Sequence, residues 1–159
     1  MIKNNLKSLL IHITLSVLFI FTVTIFFAAQ PKWDSEGVAR NYHNIMLVIS
    51  IIMLAIAPIL YTYLGIKHLK KQGSLYKNLF SVSLPAIVGV VLWLYAFNLD
   101  NLGPSNQLLN SESWRLYSMF NGYSVPFTEA SGSNNPYLFL VFSFIPTLFM
   151  WTGLQRKRK

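Results

Sequence analysis

The sequence predicts an all-α integral membrane protein: a bundle of four transmembrane helices with both termini cytoplasmic, and a short amphipathic helix in the long outer loop between the third and fourth spans. Three observations predict it. Charged residues make up 11% of the 159 positions and hydrophobic residues 53%, whereas soluble domains carry about a quarter charged residues. Four apolar runs punctuate the chain, each near the length that crosses a hydrocarbon core of about 30 Å. Finally, lysine and arginine are concentrated in alternate connections, the asymmetry that orients membrane proteins.

The first span covers residues 9–29. Its apolar run is longer than the roughly 7–15 residues of a secretory signal peptide, and cleavage after Ala28 or Ala29 would leave Phe26 or Phe27 where a small residue is required. A retained span is the better reading. A short loop follows, and the second span, residues 45–66, carries Pro58 and ends near Tyr61 and Tyr63. A basic connection with Lys67, Lys70, Lys71 and Lys77 leads to the third span, residues 79–97, with Pro85 and Gly89. The polar stretch 98–136 intervenes, and the fourth span, residues 137–154, contains Pro146 and runs into Arg156, Lys157, Arg158 and Lys159. The whole chain reads as one transmembrane domain.

Placing both termini inside puts ten of the thirteen basic residues on the cytoplasmic face and all five acidic residues outside. A bacterial plasma membrane is the expected location. The net charge of +8 does not indicate nucleic-acid binding, because the basic residues are divided by apolar runs rather than gathered on one polar surface. Lys67, Lys70, Lys71, Arg156, Lys157 and Arg158 are instead expected to meet anionic headgroups, at about 1 kcal/mol each.

The candidate chemistry is sparse. There is no cysteine, and His12, His43 and His68 fall in three different layers, so no metal site, cofactor or catalytic set is predicted. His12 is the ionisable side chain within a span, which makes it a functional candidate. Its position about one turn from the boundary also fits a purely structural role. Each proline within a span frees a backbone carbonyl that needs a new partner; Thr14, Ser16, Tyr61, Ser81 and Ser83 lie at suitable depth.

Within the outer loop, residues 110–120 read as a helix with Asn110 at its start, Glu112 in its first turn and Gly122 at its stop. Leu109, Leu116 and Phe120 align on one face, flanked by Tyr117 and Met119, with Ser111, Arg115 and Ser118 opposite. A helix this short is marginal alone, so the stripe must cap its own bundle, lie on the outer leaflet or dock a partner.

The leading functional expectation is binding of another membrane or cell-surface protein, as an accessory subunit, assembly factor or immunity-type protector. Trp114, Arg115, Leu116, Tyr117 and Phe120 would form the contact surface. One alternative is a membrane enzyme acting on a lipid or lipid-linked substrate through Asp34, Glu36, His43 and Asp100. The other is a small oligomeric carrier or channel using His12 and the proline-kinked inner half.

Overall fold

The structure is a computed structural model. It describes residues 1–26, 44–99, 111–127 and 135–157 in full, and residues 27–28 and 36–43 as helical backbone. Every described element is helical: α1 (Ile2–Ala28), α2 (Glu36–His68), α3 (Leu75–Phe80), α4 (Leu84–Leu99), α5 (Glu112–Phe120), a 3₁₀ turn (Gly122–Ser124) and α6 (Pro136–Arg156). Three stretches, Ile2–Phe26, Asn44–His68 and Pro136–Arg156, are long and apolar enough to cross a membrane. This is the profile of a membrane protein.

The remaining predicted span, 79–97, differs from expectation. Its helix begins at Leu84 and has 16 residues, a length of about 24 Å. The break falls at Ser81-Val82-Ser83, and Pro85 sits in the first turn of α4 rather than at a mid-helix kink. A proline there is sterically compatible, because the first turn needs no N–H donor. Pro58 and Pro146, by contrast, lie inside α2 and α6.

Two adjacent asparagines at the start of α1 fix the neighbouring chain breaks. Asn4 pairs in both directions with the backbone of one residue past α2: its Nδ2 donates to the Lys70 carbonyl (2.7 Å) and its Oδ1 accepts from the Lys70 N–H (3.1 Å). Asn5 bridges the α3–α4 break, donating to the Phe80 carbonyl (2.9 Å) and accepting from the Leu84 N–H (3.2 Å). Backbone groups at helix ends that lack a ladder partner are thereby satisfied. These bonds bring the start of α1, the end of α2 and the start of α4 to one end of the molecule. The end of α6 joins them: Lys157 Nζ donates to the Leu69 carbonyl (2.8 Å), and Lys71 Nζ to the Lys157 carbonyl (3.2 Å). We call this the basic end. At the other end Trp93 Nε1, on α4, donates to the carbonyl of Pro136, the first residue of α6 (2.7 Å). Thus α1 and α4 run away from the basic end, while α2 and α6 run toward it.

Helix α6 is central, packing on both α2 and α4. Small residues let the backbones approach, the usual device where no water drives association. A Cβ added to Gly65 would lie 2.8 Å from the Met150 carbonyl oxygen, and one on Gly153 would strike the Thr62 carbonyl. On the opposite flank a Cβ on Gly89 would lie 2.8 Å from Ser143 Cβ. The Thr147 hydroxyl enters the first turn of α4, donating to the Val82 carbonyl (2.9 Å) and accepting from the Ala86 N–H (3.3 Å). It substitutes there for a direct ladder bond.

Candidate functional site

The segment from Ser111 to Phe127 is not laid over the bundle but inserted into it. Helix α5 packs on α4 and α1, and the following 3₁₀ turn wedges between α1 and α2. Ser113, Trp114, Tyr117, Asn121, Gly122, Tyr123 and Ser124 are all buried. The turn meets α1 at Ser16, about 21 Å along that helix from Ile2. There the Ser16 hydroxyl donates to the Phe120 carbonyl (2.5 Å). Contact is so close that a Cβ on Gly122 would collide with the Ser16 carbonyl and with Ile20.

The insertion is complementary to α6. Pro146 lacks the N–H that would bond the Phe142 carbonyl. The Tyr123 hydroxyl donates to that same carbonyl. One turn earlier, the Tyr117 hydroxyl donates to the Phe139 carbonyl and lies 3.3 Å from Ser143 Oγ. A proline defect in one helix is therefore filled by a tyrosine from a segment 19 residues away. Of the hydroxyl groups expected at proline depth, Ser16 serves the inserted segment instead, while Tyr123 was not among those expected.

Aromatic rings fill the surrounding space. Tyr123 makes edge contacts with Phe19, Tyr61 and Phe142, at centroid distances of 6.2, 6.1 and 6.1 Å. Trp114 does the same with Tyr117 (5.8 Å) and Phe139 (6.2 Å). Such edge-to-face pairs are favourable beyond their area.

His12 faces inward at the tip of the insertion. Its Nδ1 lies 2.8 Å from the Tyr61 hydroxyl, and its ring packs edge-on against Phe120 at 4.3 Å. Its Nε2 and the Oδ1 of Asn121 are buried without a hydrogen-bond partner among the described residues. Phe120 and Tyr61 both pack against the His12 ring.

The residues expected on an outer contact surface divide. Trp114 and Tyr117 are fully buried in the chain's own core, and Phe120 is half-buried against His12. Arg115 and Leu116 are exposed, as is Met119. The helix has the expected position and period, but its buried face is Ser113, Trp114 and Tyr117 rather than Leu116 with Phe120. On this face the Tyr117 hydroxyl and the Trp114 ring both meet Phe139 of α6, and Leu116 and Met119 are left outward. Leu109 lies outside the described residues.

Of the alternative polar site, Asp34 and Asp100 lie outside the described residues. Glu36 and His43 are known only as backbone of α2. Among the described residues no three His, Cys, Asp or Glu side chains gather as a metal site would require. At the basic end, Lys67 stands over the Tyr63 ring at 5.8 Å, Lys70 is held through its backbone by Asn4, and Arg156 is exposed. Lys71 and Lys157 cap helix and loop carbonyls as described above, and Arg158 lies outside the described residues.

Fold and site together define a class: an all-helical protein of membrane character whose core is completed by an inserted aromatic segment. No protein-family model, curated protein or solved structure matches the chain.

Proposed function

We propose that the chain is a four-pass plasma-membrane protein of bacterial type, with both termini cytoplasmic, that acts by binding another membrane protein. Two features support the topology. The chain must travel from the basic end, where α2 finishes, to the far end, where α6 starts, and α4 is the element that makes this journey. A span of about 24 Å is short for a core of about 30 Å, a mismatch that local bilayer thinning accommodates at modest cost. The basic end then takes the cytoplasmic side by the positive-inside rule, and residues 111–127 form a re-entrant segment. Irregular backbone at membrane depth is tolerated where protein surrounds it, as at the buried 3₁₀ turn.

The observation that carries the binding reading is the two-sidedness of α5. One face is locked by Trp114 and Tyr117, while Leu116 and Met119 are 48% and 55% exposed on the other. A helix anchored this way presents its outer side chains without the ordering cost of a free loop, and methionine adapts to varied apolar partners. At membrane depth the fitting partner is an apolar helix of a second protein, with Arg115 near the outer interface. The test is site-specific photo-crosslinking in intact cells from positions 116 and 119, with position 94, exposed on α4, as a lipid-facing control. One discrete protein adduct from 116 and 119 is expected, weakened from position 116 by Met119→Ser and from position 119 by Leu116→Ser. Crosslinks to lipid alone from all three positions would overturn the reading.

A further inference from the structure

We infer that the cleft between α1 and α2 is a binding site for one anionic phospholipid, with the phosphate at Lys7 and His68 and an acyl chain running along the helices. The inserted 3₁₀ turn wedges between α1 and α2, and a groove of about 490 Å³ opens between these two helices. Its α1 wall is Lys7, Leu10, Ile11, Thr14, Leu15 and Leu18, and Leu64 and His68 of α2 complete it. Those α1 positions follow the 3–4 spacing of a single helix face.

Length and polarity select the occupant. From Lys7 to Leu18 the groove extends about 16 Å, close to the roughly 15 Å of one leaflet of a 30 Å hydrocarbon core. Its walls are aliphatic apart from Thr14, and its polar groups stand at the mouth, at the basic end. An apolar helix from a partner would leave Lys7 facing hydrocarbon. A soluble anion would leave the aliphatic wall unfilled. A lipid with a negatively charged headgroup satisfies both ends: Lys7 supplies a cation, the His68 ring an N–H donor, and the leucines contact the chain. The site is distinct from the exposed lysines further out, because it binds the tail as well as the headgroup. It rests on the membrane placement and not on the identity of any protein partner.

The experiment uses the full chain, delipidated in mild detergent and titrated separately with phosphatidylglycerol, phosphatidylcholine of the same chains and inorganic phosphate, with bound molecules counted by native mass spectrometry. One tightly held phosphatidylglycerol is expected, with phosphatidylcholine weaker and inorganic phosphate not retained. Lys7→Ala should weaken phosphatidylglycerol about fivefold, from about 1 kcal/mol per basic residue near a membrane surface, and leave phosphatidylcholine unchanged. Thr14→Trp, which fills the groove, should displace both lipids while circular dichroism confirms the fold. Lys70→Ala/Lys71→Ala should leave the tight site intact. The inference is overturned if Thr14→Trp retains the lipid, if the two lipids bind equally, or if Lys70→Ala/Lys71→Ala abolishes the preference as fully as Lys7→Ala.

Discussion

Removing the Tyr123 hydroxyl isolates the interaction that joins the inserted segment to α6. The Phe142 carbonyl lost its ladder donor to Pro146 and accepts from Tyr123 instead. In Tyr123→Phe it would be left buried and unpaired, a state that costs about 1–3 kcal/mol. Measured hydrogen bonds in one membrane protein average about 0.6 kcal/mol with a maximum near 1.7, so the upper part of that range, about 1–1.7 kcal/mol, is expected here. Tyr117→Phe is the internal comparison. The Phe139 carbonyl that it serves also faces the ordinary N–H of Ser143 four residues on, so the expected loss is smaller, about 0.5 kcal/mol. The decisive variant is Pro146→Ala, which restores an N–H four residues after Phe142. In that background Tyr123→Phe should cost about 0.5 kcal/mol or less, giving a coupling of about 1 kcal/mol in a double-mutant cycle. Reversible unfolding in mixed micelles titrated with dodecyl sulfate, followed by circular dichroism, measures all four species. If Tyr123→Phe is equally costly with and without Pro146, the tyrosine is not filling the proline defect.

Other substitutions probe the same architecture. Gly122→Ala forces a methyl into the Ser16 carbonyl and should destabilise by at least about 1–3 kcal/mol, with faster thiol labelling of a Ser124→Cys reporter in an otherwise cysteine-free chain. Asn4→Ala and Asn5→Ala each remove bonds to backbone groups at chain breaks. Each should cost about 1–2 kcal/mol and accelerate hydrogen exchange at Lys70 and Leu84 respectively. His12→Leu removes the histidine partner of the Tyr61 hydroxyl, which keeps Ser16 beside it, and should destabilise by about 0.5–1.5 kcal/mol, while His12→Leu/Tyr61→Phe should recover part of that loss.

Much of the helical layout is legible in the sequence because hydropathy and length report burial in lipid directly. Residues 9–28 of the first predicted span, with 45–66 and 137–154, fall within α1, α2 and α6, and residue 29 lies outside the described residues. The third span was less legible: an apolar run does not reveal that Ser81-Val82-Ser83 breaks it, since the break is held by Asn5 and Thr147 from elsewhere in the chain. The inserted segment was legible as a helix but not in depth or phase. Counting aliphatic residues points to Leu116, whereas the buried side is the one whose Tyr117 hydroxyl meets the Phe139 carbonyl and whose Trp114 ring packs on Phe139. A signal was present in Pro146 inside a span together with Tyr117, Gly122 and Tyr123 in a nominally polar loop. Asn4-Asn5 at the start of an apolar helix was a second, since two adjacent amides there have little reason to exist without backbone partners.

The buried placement of Trp114, Tyr117 and residues 121–124 inside the bundle is joined by the proposal of a membrane crossed four times. Single cysteines at Lys3, Glu112 and Ser124, probed in intact cells with a membrane-impermeant maleimide, test both most directly. Glu112→Cys should react at once, Lys3→Cys only after permeabilisation, and Ser124→Cys should resist until the fold is disrupted. Rapid labelling of Ser124→Cys alongside Glu112→Cys would contradict the insertion, and labelling of Lys3→Cys in intact cells would contradict the topology.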